Sequence, residues 1–95
     1  MKRQGPRQLL RFLKAKARDN LFTYSQHAFE AMVDASMYEE DVKRAFSNAI
    51  LIDVREKPRA GTHYVLRGFG MNEEPLILVC RQLRRLVEVV DLYWD

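Results

Sequence analysis

Apolar residues recur at helical spacing in the first half of this chain and at alternate positions in the second, with the change near Asn48. Leu9, Leu10, Leu13 and Ala17 fall on one side of a helix that Pro6 is well placed to open. Asp19-Asn20 ends that helix, and Leu21-Phe22-Thr23-Tyr24 reads as a short extended linker. Ser25 is a suitable N-cap for a second helix carrying Ala28, Phe29, Met32 and Val33 inward. Ser36-Met37-Tyr38-Glu39 fits a capping box, and Glu39, Glu40 and Asp41 suit the positive end of a helix dipole. This third helix buries Val42, Ala45 and Phe46 and ends near Ser47-Asn48.

Beyond Asn48, Ile50, Ile52 and Val54 alternate with Leu51, Asp53 and Arg55. Lys57-Pro58-Arg59-Ala60-Gly61 breaks the strand. His63, Val65, Arg67 and Phe69 then alternate with Tyr64, Leu66 and Gly68. A turn over Gly70 to Pro75 leads to strands over Leu76 to Arg81 and Leu86 to Tyr93, joined by a short basic connection. Helices first and strands afterwards predict an α+β fold. Three N-terminal helices would pack on one face of a three- or four-stranded, mainly antiparallel sheet.

The chain has 95 residues, which sets a single domain over residues 1–95 with one modest core. At 47% hydrophobic and 31% charged, it has the composition of a folded globular protein. Its longest apolar run, Leu76-Ile77-Leu78-Val79-Cys80, is too short to span a bilayer, and Arg11 interrupts the stretch after Leu9-Leu10, as no signal peptide would. The expectation is a cytoplasmic protein with no membrane partner. Cys80 is the only cysteine, so no intramolecular disulfide forms, and its apolar setting makes it a core residue rather than a nucleophile. Two distant histidines and one cysteine give no metal or cofactor motif, so none is expected.

Charge alters the picture more than composition does. The net charge is +3, but Lys2, Arg3, Arg7, Arg11, Lys14, Lys16 and Arg18 crowd the N-terminal segment. Glu30, Asp34, Glu39, Glu40 and Asp41 follow as an acidic block. The asymmetry points to an anionic partner, either nucleic acid or an acidic protein segment. Arg7, Arg11, Lys14 and Arg18 line one stripe of the first helix, which is either a phosphate-binding face or a solvated one.

RNA can be cut without a metal when a base takes the 2′-hydroxyl proton, an acid protonates the leaving oxygen, and cations stabilise the phosphate. His63 can move the proton, and Arg67 shares its strand parity. Arg55 and Arg59 are candidates for phosphate binding and Tyr64 for positioning, with Lys57 in the adjoining loop and Arg81, Arg84 and Arg85 at another turn. Alternatively, Arg67 and Arg55 pair with Asp53, Glu88 or Asp91 across an open sheet face. Tyr64, Tyr93 and Trp94 either stack on bases or pack the sheet. His27, in the first turn of the second helix, either hydrogen-bonds the sheet or joins a site.

The segment Tyr24-Ser25-Gln26-His27-Ala28-Phe29-Glu30-Ala31-Met32, followed by Met37-Tyr38-Glu39-Glu40-Asp41-Val42, resembles small proteins related to the RelE/ParE-like toxins. The likeness spans about Phe22 to Tyr93. Ser25, His27, Ala28, Met32, Glu39, Glu40, Asp41 and Val42 fit the pattern, while Ala31 and Ala35 stand where that group carries arginines and Ser36 where it carries glycine. From Gln8 onward the layout is also similar to the MqsR toxins, which have a basic first helix and a Glu-Glu-Asp third helix. The resemblance implies a RelE-like fold and a toxin-like mRNA interferase that acts on RNA or the ribosome and is held by an antitoxin. A non-catalytic protein- or nucleic-acid-binding module of the same fold is the alternative.

Overall fold

A computed structural model describes residues 5–95, so Lys2 and Arg3 of the basic segment lie outside the described residues. The element order is α1 (Pro6–Arg18), β1 (Phe22–Tyr24), α2 (Gln26–Asp34), α3 (Glu39–Asn48), β2 (Ile50–Lys57), β3 (Gly61–Phe69), β4 (Pro75–Gln82) and β5 (Val87–Trp94). The five strands form one mixed sheet in the order β1-β5-β4-β3-β2. Four are antiparallel neighbours, and β1 runs parallel to β5.

The α+β class, the three helices and the change of period near Asn48 agree with the sequence. Two details correct it. The sheet has five strands rather than three or four, and Phe22–Tyr24 is an edge strand rather than a linker. Its ladder is fixed by Val87 donating to the Leu21 carbonyl (3.0 Å) and Ser25 donating to the Val89 carbonyl (2.9 Å).

Helix α1 closes with Asn20 in the left-handed conformation, where Asn20 and Leu21 donate to the Ala17 and Lys16 carbonyls. Helix α2 ends in the same way. Ser36 takes φ +52°, while Ser36 and Met37 donate to Val33 and Met32. Ser36 therefore stops α2 and does not cap α3. The α3 cap is Tyr38, whose N–H donates to the Asp41 carboxylate at 3.1 Å. That carboxylate is buried and also accepts from the Met71 N–H at 2.8 Å, fastening the start of α3 to the β3–β4 turn.

One face of the sheet carries all three helices. Leu66, Leu76, Leu78, Cys80, Val87, Val89 and Leu92 meet Leu9, Leu13, Ala17, Ala28, Met32, Val42, Ala45 and Phe46 in one core. Burying each large aliphatic side chain contributes roughly 1.5–3 kcal/mol. Gly68 is required where α3 crosses β3, because a Cβ there would collide with the Ala45 carbonyl. Phe29 and Val33 depart from expectation: at 59% and 63% exposed they point outward, and only Ala28 and Met32 of α2 are buried.

Among the described residues, no helix lies over the other face. Val65, Ile77 and Val79, with Val90, form a small apolar centre there. A bulge between Leu51 and Asp53 in β2 shifts the alternation, so that Leu51 and Val54 are opposite Leu66 and Tyr64, while Asp53 and Arg55 are opposite Val65 and His63.

Candidate nucleic-acid interface

The candidate residues divide between the two sides of the molecule. On the helical side, burial of Leu9, Leu13 and Ala17 rotates the basic stripe of α1 towards α3. Between the two helices lies a groove of about 750 Å³ lined by Arg11, Lys14, Arg18 and Lys43. Ala15, Ala17 and Phe46 give it an apolar floor, and Asn20 and Ser47 add polar groups. Among the described residues, no carboxylate lines it. The Lys14 ammonium donates to the Ser47 carbonyl at 3.3 Å, a position in the last turn of α3 where the helix dipole favours a cation. Arg18 lies 3.9 Å from Asp19, and both side chains are largely exposed, so that pair is weak. Arg7 stands further along the stripe, beside Leu10, Arg11 and Lys14.

Among the described residues, Arg7, Arg11, Lys14 and Lys43 have no carboxylate partner. Lys43 had no distinguishing mark in the sequence beyond following Glu39 by one helical turn. Only the packing of α3 against α1 brings it to the stripe.

The open sheet face is built differently. Arg55 is opposite His63 in the β2–β3 ladder, and Arg67 is opposite Ile50 and Ile77 in the adjoining ladders. His63 and Arg67 therefore share this face, as their strand parity predicts. The arginines are occupied, however. Arg55 donates to Asp53 (3.0 Å), Arg67 lies 3.1 Å from Asp95, and Arg81 donates to Glu88 (2.7 Å). The hydrogen bond from Arg55, with a second from the Val54 N–H, holds the Asp53 carboxyl below its ordinary range. The pairing alternative thus holds for Arg55 with Asp53, while Arg67 takes Asp95, a partner not foreseen.

Tyr64 lies on the opposite side of β3 from His63: it packs against the helix-side core and lines a cleft with Pro6, Leu9, Leu51 and Val54, away from the open-face candidates. Arg59 sits exposed at the β2–β3 turn with φ +65°. Tyr93 is 45% exposed at a position opposite Ile77, whereas the Trp94 indole donates to the Ala35 carbonyl at 3.1 Å and packs the end of α2.

His27 is placed by two devices. The Ser25 hydroxyl accepts from the Ala28 N–H (3.0 Å) and donates to the Val90 carbonyl (2.9 Å), docking the start of α2 on β5. His27 Nε2 then lies 3.1 Å from the Asp91 carboxylate, an exposed contact that ties helix to sheet. Cys80 is fully buried, and burial pushes its thiol up, away from nucleophilic character. Among the described residues, no three metal-ligating side chains come together, and no helix is long and apolar enough to cross a membrane.

Residues 24–94 match the family described as a domain of unknown function (DUF4258), and the chain belongs to that family. Neither a curated protein nor a solved structure shows significant similarity to it.

Proposed function

We propose that this protein is a nucleic-acid-binding module that holds a phosphate backbone in the α1–α3 groove and performs no chemistry there. The observation that carries this reading is the lining of the groove: four cations, an apolar floor and, among the described residues, no carboxylate. A polyanion entering such a groove replaces the condensed counterions of its phosphates with fixed guanidinium and ammonium groups, and their release drives binding. Arginine adds bidentate donors matched to phosphate oxygens. Phosphate contacts position a strand without reading its sequence, which suits RNA held for its backbone. The working compartment is the cytoplasm. The test is fluorescence anisotropy with labelled single-stranded RNA and, in parallel, an acidic peptide of equal charge. Preferential binding of RNA supports the reading. Binding of the peptide alone replaces it with a protein-docking role.

A second reading is favoured by one feature of the open sheet face. His63 has no hydrogen-bond partner among the described residues and stands beside Arg55 on a surface no helix covers. On this reading the protein is toxin-like and cleaves mRNA at that face, free or on the ribosome, until an antitoxin covers it. His63 transfers the proton, while Arg55, Arg67 and Arg59 steady the phosphate. The pairing of Arg55 and Arg67 with carboxylates weighs against it, since each ion pair must open before a phosphate is bound. Cleavage of mRNA in chelator, with and without ribosomes, decides the matter. A loss of roughly a hundredfold or more in His63→Ala supports the enzyme, and an inactive wild type removes it.

A further inference from the structure

Strand β2 ends the sheet on the side away from β1, and among the described residues no strand pairs with its outer edge. It exposes Ile50, Ile52 and Val54 to 58%, 47% and 46%, an unusual amount of branched apolar surface for a free edge. Such edges are commonly guarded by charged side chains, lysine above all, which resist pairing with a second strand. Here the two charged side chains flanking Val54 on the open face have opposite signs, Asp53 and Arg55, and they already pair within the strand at 3.0 Å.

We propose that β2 pairs antiparallel with β2 of a second copy of this chain, about a two-fold axis through Val54, so that two sheets become one. This goes beyond the nucleic-acid reading and does not depend on it. Among axes centred on Asp53, Val54 or Arg55, charge favours Val54. With the axis at Val54, Asp53 of each copy lies opposite Arg55 of the other, and Val54 lies opposite itself. Moving the axis to Asp53 places two carboxylates face to face, and moving it to Arg55 places two guanidinium groups face to face. A self-paired strand also satisfies the backbone groups of both edges and covers Ile52 and Val54. The contact is isologous, so it closes at two copies and does not propagate. Val54 shares its cleft with Pro6 and Leu9 of α1, so the axis brings the first turns of the two α1 helices towards each other. The two basic stripes then lie on the same side of the joined sheet.

Sedimentation or light scattering over a concentration series at low salt tests this. The expected mass climbs from the 11.2 kDa of one chain towards twice that value. Asp53→Arg and Arg55→Asp should each weaken association about tenfold or more, because two cross-strand attractions become two repulsions. The double exchange should restore it. Both side chains are about half exposed, so each variant should keep the native circular dichroism. Val54→Arg, which sets two cations on the axis, should give a single chain throughout. A wild-type mass of 11.2 kDa at every concentration overturns the proposal. So does a dimer that neither single charge reversal weakens.

Discussion

Replacing Arg11, Lys14, Arg18 and Lys43 together with glutamine removes every cation that lines the α1–α3 groove and keeps most of each stem. The size of the effect follows from the number of phosphates these groups can neutralise. Single-stranded nucleic acid gives a slope of log affinity against log salt of about −0.7 per contact, so four contacts contribute a slope of roughly −2.8. Between about 50 mM and 200 mM salt, that slope is worth about fiftyfold in affinity. The wild type should show this decline with labelled single-stranded RNA, and the quadruple variant should lose nearly all of it. Arg7→Gln, at the far end of the stripe, should lower the slope by less than one contact. Arg11, Arg18 and Lys43 are exposed and Lys14 is half-buried, so the melting temperature should shift by only a few degrees. A folded quadruple variant that keeps the wild-type slope would rule out the groove as the phosphate site, and so would a wild type whose binding ignores salt.

Two further outcomes test the frame that holds the groove and the sheet together. Ser25→Ala removes both the N-cap of α2 and the hydroxyl donor to Val90, and should cost about 1–2 kcal/mol of stability in urea unfolding. It should also speed hydrogen exchange at the Ala28 amide, and an unchanged midpoint would contradict the docking role. The Cys80 thiol has a folded pKa raised by burial above its ordinary 9.0. Its contribution to stability is therefore complete below about pH 9 and is lost as the unfolded thiol ionises at higher pH, at about 1.4 kcal/mol per pH unit. Burial, with Glu39 and Glu40 adding, raises the Tyr24 phenol in the same direction, so the alkaline decline steepens above its ordinary 10.0. Unfolding followed from pH 8 to 11 checks this, with Cys80→Ala expected to flatten the first part of the decline.

The helices and the long strands were legible because each has a sustained period and a chemical stop. Pro6 opens α1, Asn20 closes it, and Ser25 caps α2 as its position suggests. Strand β1 was not legible, since three residues cannot show a period of two and its partner β5 lies more than sixty positions away. Phe29 and Val33 mark a second limit. Their spacing fits a buried stripe, but α2 lies over β5 and β1 with Ala28 and Met32 beneath it, which leaves the two larger residues outside. Tyr64 shows what parity alone provides. It separates Tyr64 from His63 and Arg67 correctly, and grouping the three in one site contradicted the alternation of their own strand. Of the groove, sequence supplied the α1 stripe but not Lys43, because helix packing is a tertiary fact. That Arg67 would be paired was legible, but its partner Asp95, like the pairing of Arg81 with Glu88, was hidden, because both depend on the register of β3, β4 and β5.

On the proposed reading, the anion-binding surface lies between α1 and α3 and not on the open face of the sheet. Amide chemical-shift mapping during titration with a short single-stranded RNA tests it most directly, because it reports both faces at once. Perturbations are expected at Arg11, Lys14, Arg18, Lys43 and Ser47, with His63, Arg67 and Tyr93 unmoved. Shifts centred on His63, Arg67 and Tyr93, with α1 and α3 silent, would contradict it.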